Sequence, residues 1–253
     1  MKKSSKAIIV LVLAGALVLG ICVSSGWAIP IPTIALGMED TDEPGKIATS
    51  LQVLFLLTIL TLAPSFLIMT TSFTRVIIVL SFLRQAMGTQ QTPPTQMLIG
   101  LGLFLTFFIM SPVWSEINQN ALQPYLKEEI SQLEAFNRAQ GPIKSFMIKQ
   151  TRKKDLALFV NLGSGKKPES VNELNIQTLV PAFIISELKT AFQIGFLIYI
   201  PFLILDMVVA SILLSMGMLM LPPVLISLPF KLMLFVMVDG WHLTIGSLMR
   251  SFN

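Results

Sequence analysis

From Leu179 to Leu248 the chain runs as two long apolar segments separated by Ser215-Met216-Gly217-Met218-Leu219-Met220-Leu221-Pro222-Pro223. No other feature restricts the fold as strongly. The first segment, Leu179 to Met220, would be about 60 Å long as a helix, roughly twice the ~30 Å hydrocarbon core of a bilayer. It is too long for one ordinary span. Either it makes two spans that turn near Pro201, or it is one bent helix that runs beyond the lipid. Tyr199-Ile200-Pro201-Phe202-Leu203 lacks Gly, Asn, Asp and Ser, the residues that make turns, whereas a lone proline kinks a helix. The bent helix is the better reading.

At Met216 to Pro223 the signals differ. Gly217 supplies a permissive backbone, and Pro222 and Pro223 lack the N–H that would continue a helix. This is the tip of a helical hairpin. Met216, Met218 and Met220 alternate through it. Flexible, polarizable thioethers can pack in an ordinary core, and they can equally make a soft surface that closes against varied partners.

Of the 253 residues, 53% are hydrophobic and 13% charged. Soluble domains carry about a quarter charged residues, so the composition is that of an integral membrane protein. The net charge of +4 is not gathered with exposed aromatics into a patch, so nucleic acid is not expected as a partner. The N-terminus reads as a bacterial secretory signal: Lys2, Lys3 and Lys6, an apolar run from Ala7 to Val23, then small residues with cleavage expected after Ala28. A retained anchor helix is the alternative. Cys22 is the one cysteine and would leave with the signal, excluding thiol chemistry from the mature chain.

Five regions follow: a signal peptide at 1–28, an exported leader at 29–50, a first apolar helical hairpin at 51–115, an amphipathic hydrophilic region at 116–178, and the second hairpin at 179–253. The leader is rich in Pro, Gly and acids. The first hairpin is expected to break at Pro64-Ser65, and its hydroxyls and Arg75 suit contact with other helices rather than lipid. Between Lys46 and Glu116 the only charges are Arg75 and Arg84, which places the loop around Arg84 on the cytoplasmic side. In the hydrophilic region the apolar spacing predicts helices over Gln123 to Gln140, ended by Gly141-Pro142, and over Pro142 to Leu162.

No catalytic constellation is visible. Gly163-Ser164-Gly165-Lys166-Lys167 lacks the leading Gly and the closing Ser or Thr of a phosphate loop, and His242 has no neighbouring metal-ligand or nucleophile spacing. No enzyme, cofactor or metal is expected. The second hairpin instead carries Glu187, Lys189, Asp206, Lys231 and Asp239. Ions at bilayer depth need partners or water. A Glu187–Lys231 pair, within or between subunits, is the economical arrangement, with Lys231, Asp239, His242 and Gly246 on one polar stripe of the second arm. Such charges either fix register in an assembly or line a watery path.

Pro181-Ala182-Phe183-Ile184-Ile185-Ser186-Glu187-Leu188-Lys189-Thr190-Ala191-Phe192-Gln193, Ile200-Pro201-Phe202 through Asp206, Met216 through Pro223, Leu228-Pro229-Phe230-Lys231-Leu232 and Val238-Asp239-Gly240-Trp241 closely resemble the FliP family of flagellar biosynthetic proteins. The likeness extends back to Thr74-Arg75-Val76 and Thr92-Pro93-Pro94. It implies an all-α membrane protein whose long, kinked hairpins assemble into a helical ring with sister subunits, pentameric in the family. It also implies FliQ and FliR as ring partners, FlhA and FlhB beside them, unfolded flagellar subunits as cargo, and a place in the bacterial inner membrane at the flagellar basal body. In that family the methionine tip seals the closed pore of a type III export gate. The resemblance therefore implies that role for Met216, Met218 and Met220, although Leu219 interrupts the run. An injectisome paralogue would share the architecture. A secondary transporter or proton channel using Glu187, Asp206 and Lys231 would show paired repeats, and no second copy of the Pro201 or Met216 to Pro223 features is present.

Overall fold

The computed structural model of the protein describes residues 44–89, 91–163, 174–218 and 221–252. The expected signal peptide, most of the leader, residues 164–167 of the rejected phosphate-loop sequence, Leu219 and Met220 lie outside them. The described residues are helical with no strand: α1 (Pro44–Thr70), α2 (Phe73–Ala86), α3 (Thr95–Ile117), a π-helical turn (Asn118–Leu122), α4 (Gln123–Leu126), α5 (Gln132–Gln150), α6 (Lys153–Leu162), α7 (Ile176–Ser215), α8 (Pro223–Met237) and α9 (Gly240–Arg250). By length and composition α1, the α3–α4 run and α7 can each cross a membrane. Residues 1–53 and 54–253 form separate units, and the buried core lies in the second.

The core of this unit is α2 laid between α7 and α3. Val76, Val79, Leu80, Leu83 and Ala86 recur at three- and four-residue intervals, and all are buried, as one face of a helix requires. The facing side of α7 offers Ala191 and Gly195. A Cβ on Gly195 would fall 2.6 Å from the Phe82 ring, so the two helices meet where only glycine fits. A second buried cluster, Met147, Leu179 and Phe183, seats α5 on the start of α7.

Several helix boundaries differ from the sequence reading. α1 passes unbroken through Pro64 and ends at Thr70. There the hydroxyls of Thr70, Thr71 and Thr74 donate to the carbonyls of Phe66, Leu67 and Ile68, satisfying acceptors that a helix end leaves open. The 51–115 region consequently holds three helices rather than two arms. Gly141-Pro142 does not end a helix either. α5 runs on to Gln150 because Ile143, Phe146 and Met147 pack toward α7, and such packing outweighs local propensity. The actual break follows at Thr151, where the Arg152 N–H donates to Ser186 Oγ at 3.1 Å. Upstream, Glu128 takes φ 60°, and α5 restarts at Ser131, whose hydroxyl accepts from the Glu134 N–H at 3.3 Å. Ser131-Gln132-Leu133-Glu134 is a capping-box sequence, a start signal that the apolar periodicity concealed.

α7 is a single 40-residue helix through both Pro181 and Pro201, in keeping with one long helix rather than two spans. The second arm is not one helix. α8 and α9 meet at 65°, with Asp239 in the left-handed region at φ 50°, which short polar side chains tolerate. Gly240 makes the bend possible, since a Cβ there would lie 2.2 Å from the Phe235 ring. The expected continuous stripe from Lys231 to Gly246 is thereby divided.

Candidate functional site

Near its N-terminal end α7 meets the deepest charge in the molecule. Arg75, on α2, is 2% exposed, and Glu187, on α7, is fully buried. Arg75 Nε donates to Glu187 Oε2 at 2.9 Å, and Nη2 donates to Glu187 Oε1 and to Gln150 Oε1. Nη1 donates to the carbonyl and the hydroxyl of Ser251 at 2.8 and 3.0 Å. A guanidinium has five N–H donors, and here five acceptors meet them. The guanidinium also stacks on Phe252, 3.8 Å from the ring centre, and Gln150 Nε2 donates to the Phe252 carbonyl. One side chain thus ties together α2, the end of α5, α7 and the C-terminal residues after α9.

The second charge pair lies further along α7. Lys231 Nζ, on α8, donates to Asp206 Oδ2 at 2.6 Å, and Ser227 Oγ donates to Oδ1 at 2.5 Å. Lys231 also lies against the end of α2, its Nζ 3.7 Å from where a Gly88 Cβ would be. The Glu187–Lys231 pairing expected from sequence is therefore not made within the chain. Each group has a nearer partner of opposite charge, because α2 brings Arg75 to Glu187 and the hairpin brings Lys231 to Asp206. A positional signal pointed to the second pair: Asp206 and Lys231 lie twelve residues before and thirteen after Met218, so antiparallel arms place them opposite one another. Asp239, expected among the buried charges, is exposed and makes no ion pair among the described residues. The reason is the bend, which turns it away from the α7–α8 contact. Lys189 and His242 are exposed as well.

A third pair of contacts holds α6 to α7. Ser186 Oγ donates to Asp155 Oδ2 at 2.7 Å, and Arg152 Nη2 donates to Gln193 Oε1. Sequence periodicity gave no indication of these, since the polar partners lie 31 and 41 residues apart.

The tip is built differently. α7 ends with the Met218 N–H bonded to the Leu213 carbonyl and the Gly217 N–H to the Leu214 carbonyl, with Gly217 at φ 74°. This is a Schellman motif, which needs a left-handed residue just past the helix end. Pro222 and Pro223 then open α8, Pro223 as its first residue, where a missing N–H costs nothing. Met216 is 62% and Met218 44% exposed. Pro201 lies on an exposed part of α7. The geometry is thus a turn that presents thioethers outward, at the far end of a helix that the Arg75–Glu187 ion pair locks toward its other end. Among the described residues no group of three His, Cys, Asp or Glu could hold a metal ion, and the apolar sulfur tip offers contact surface rather than reaction chemistry.

The FliP family model matches residues 56–248. The flagellar biosynthetic protein FliP of Bacillus subtilis is 59% identical over 217 residues, 86% of this chain and 98% of that protein. Its counterpart from Aquifex aeolicus is 54% identical over 225 residues, 88% of this chain and 92% of that protein. The one from Borreliella burgdorferi is 49% identical over 216 residues, 84% and 85% of the two chains. A match that takes in both ion pairs and both arms of the tip, together with relatives of this similarity across nearly their whole length, shows that the chain belongs to the FliP family.

Proposed function

We propose that this flagellar biosynthetic protein, a membrane-embedded structural component of the type III export apparatus and not an enzyme, works as a pore-forming subunit of the export gate. Several copies, five by analogy with the family, would stand around a central hole with FliQ and FliR. FlhA and FlhB would lie beside them in the bacterial inner membrane, and unfolded flagellar subunits would pass through. The observation that carries the reading is the Gly217 turn, which ends a 40-residue helix with Met216 and Met218 facing outward.

The physical argument has two parts. α7 and α8 leave large apolar side chains uncovered, including Phe196, Met207, Phe230 and Val236, and such surface on a folded chain calls for lipid or partner subunits. A constriction of thioethers excludes water and ions when the side chains of several copies touch, and a hydrophobic constriction of this kind gates by dewetting. Thioethers also repack at little cost around a passing chain of any sequence. Met220 would complete this ring. Asp239, exposed beyond the bend, is available to a neighbouring subunit.

The test replaces Met216, Met218 and Met220 together with Ala in a strain carrying the complete apparatus. The expected result is an assembled complex that leaks small ions while at rest. An assembled complex that stays ion-tight would refute the seal.

A further inference from the structure

The methionines of this chain stand in contrasting settings. Met110 and Met147 are fully buried, and Met87 nearly so. Met207, Met233 and Met237 are exposed on the apolar sides of α7 and α8, surface that lipid or partner subunits must cover. Met216 and Met218 are exposed too, but they stand beyond the end of α7. Among the described residues nothing lies within 4 Å of where a Cβ on Gly217 would be, so the turn between them stands clear of the rest of the chain. Its backbone is closed by the N–H groups of Gly217 and Met218, and no thioether takes part.

We infer that Met216 and Met218 are a modification site for two-electron oxidants such as hydrogen peroxide, and that their sulfoxides open the seal. The second half rests on the pore reading given above. In the reaction a sulfur lone pair attacks one peroxide oxygen, and the S–O bond forms as the O–O bond breaks. The sulfur is oxidised and the peroxide reduced; the proton of the transferred hydroxyl passes to the departing hydroxide, which leaves a neutral sulfoxide and water. Charge separates during this step, so sulfurs that face water react ahead of those in a dry interior. The products differ as well. A sulfoxide oxygen at Met110 or Met147 would be a buried acceptor without a partner, whereas at the tip it meets open space. Because the turn is held by backbone groups, oxidation there changes the polarity of the surface without loosening the fold. A ring of thioethers stays dry because a thioether is only a weak acceptor. A sulfoxide is polar, so a ring of sulfoxides is wetted and the dewetted gate is lost.

Membrane vesicles that carry the complete apparatus are treated with hydrogen peroxide, assayed for ion leak, and digested so that sulfoxides can be mapped by mass spectrometry. The expected result is one added oxygen on Met216 and on Met218 while Met110 and Met147 remain thioethers, with a loss of ion tightness that follows the fraction of tips oxidised. A chain with Met216→Leu, Met218→Leu and Met220→Leu has an apolar tip with no sulfur, and its leak should not rise above its own untreated level. Should that chain fail to assemble, the mapped sulfoxides and the leak of the parent decide alone. Tip sulfurs left as thioethers at a peroxide dose that oxidises free methionine, tip sulfoxides with no added leak, or an equal rise of leak in the leucine chain would overturn the inference. Any of these in a complex whose alanine variant leaks without oxidant would overturn the inference alone, whereas an alanine variant that stays ion-tight removes the seal itself.

Discussion

Around Arg75 every donor finds an acceptor inside the chain, while at the Met216 turn the side chains are left for something outside it. The two places are ends of one helix: from Glu187 to Met216 α7 rises about 40 Å. At the first, charges without access to water demand particular partners, and so they fix how α2, α5, α7 and the C-terminus meet. At the second, the backbone is held by hydrogen bonds and a glycine, but the thioethers make no demand on geometry. A part that must hold its position is written in groups with strict requirements. A part that must accept variable contact is written in groups with almost none.

The strongest way to break this contrast is Arg75→Ala. It leaves Glu187 buried and unpaired, and losing one partner of a buried pair costs about 3–5 kcal/mol. The measurement is the denaturant midpoint of the purified protein, and a small shift would mean that the network holds little. The double change Arg75→Met with Glu187→Leu should recover most of the loss, because neither charge then needs a partner. Next comes Gly195→Ala. Its Cβ would meet the Phe82 ring at 2.6 Å, and overpacking of this kind costs about 1–3 kcal/mol. Gly100→Ala, with open space around the new Cβ, should cost far less in the same unfolding experiment. Lys231→Met should have a smaller effect, about 1 kcal/mol, because Asp206 is 22% exposed, retains Ser227 and can draw on solvent. At the other extreme, Met216→Ala with Met218→Ala should change stability by no more than about 0.5 kcal/mol. A large loss from that pair would show that the tip is structural after all.

The sequence alone conveyed much of the fixed part in outline and little of it in detail. Hydropathy predicted the helices, and Arg75 in an apolar stretch announced a helix contact. Its partner was illegible: Glu187 is 112 residues away, and nothing local distinguishes it from the other carboxylates. Asp206 and Lys231 were closer to readable, through their symmetric distance from the tip. Proline misled twice: Pro142 is buried in a helix packed on α7, where packing outweighs one lost hydrogen bond, whereas Pro64 lies on an exposed stretch of α1 and nothing within the chain explains why the helix continues there. The true breaks depended on side-chain bonds to backbone, from Thr70, Thr71 and Thr74 at one end of α1 and from Ser186 beyond α5. The tip was the most legible element, since Gly217 and the Pro222-Pro223 pair act through local backbone geometry.

The claim that sister chains bring these tips together is tested most directly by Met218→Cys. Cys22 is the only native cysteine, so Cys22→Ser provides a clean background. In membranes that carry the complete export apparatus, mild oxidation is expected to give disulfide-linked dimers of this chain through position 218, with the yield falling when the apparatus cannot assemble. Assembled complexes in which the thiol at 218 reacts freely with a maleimide yet never forms a dimer would contradict the account.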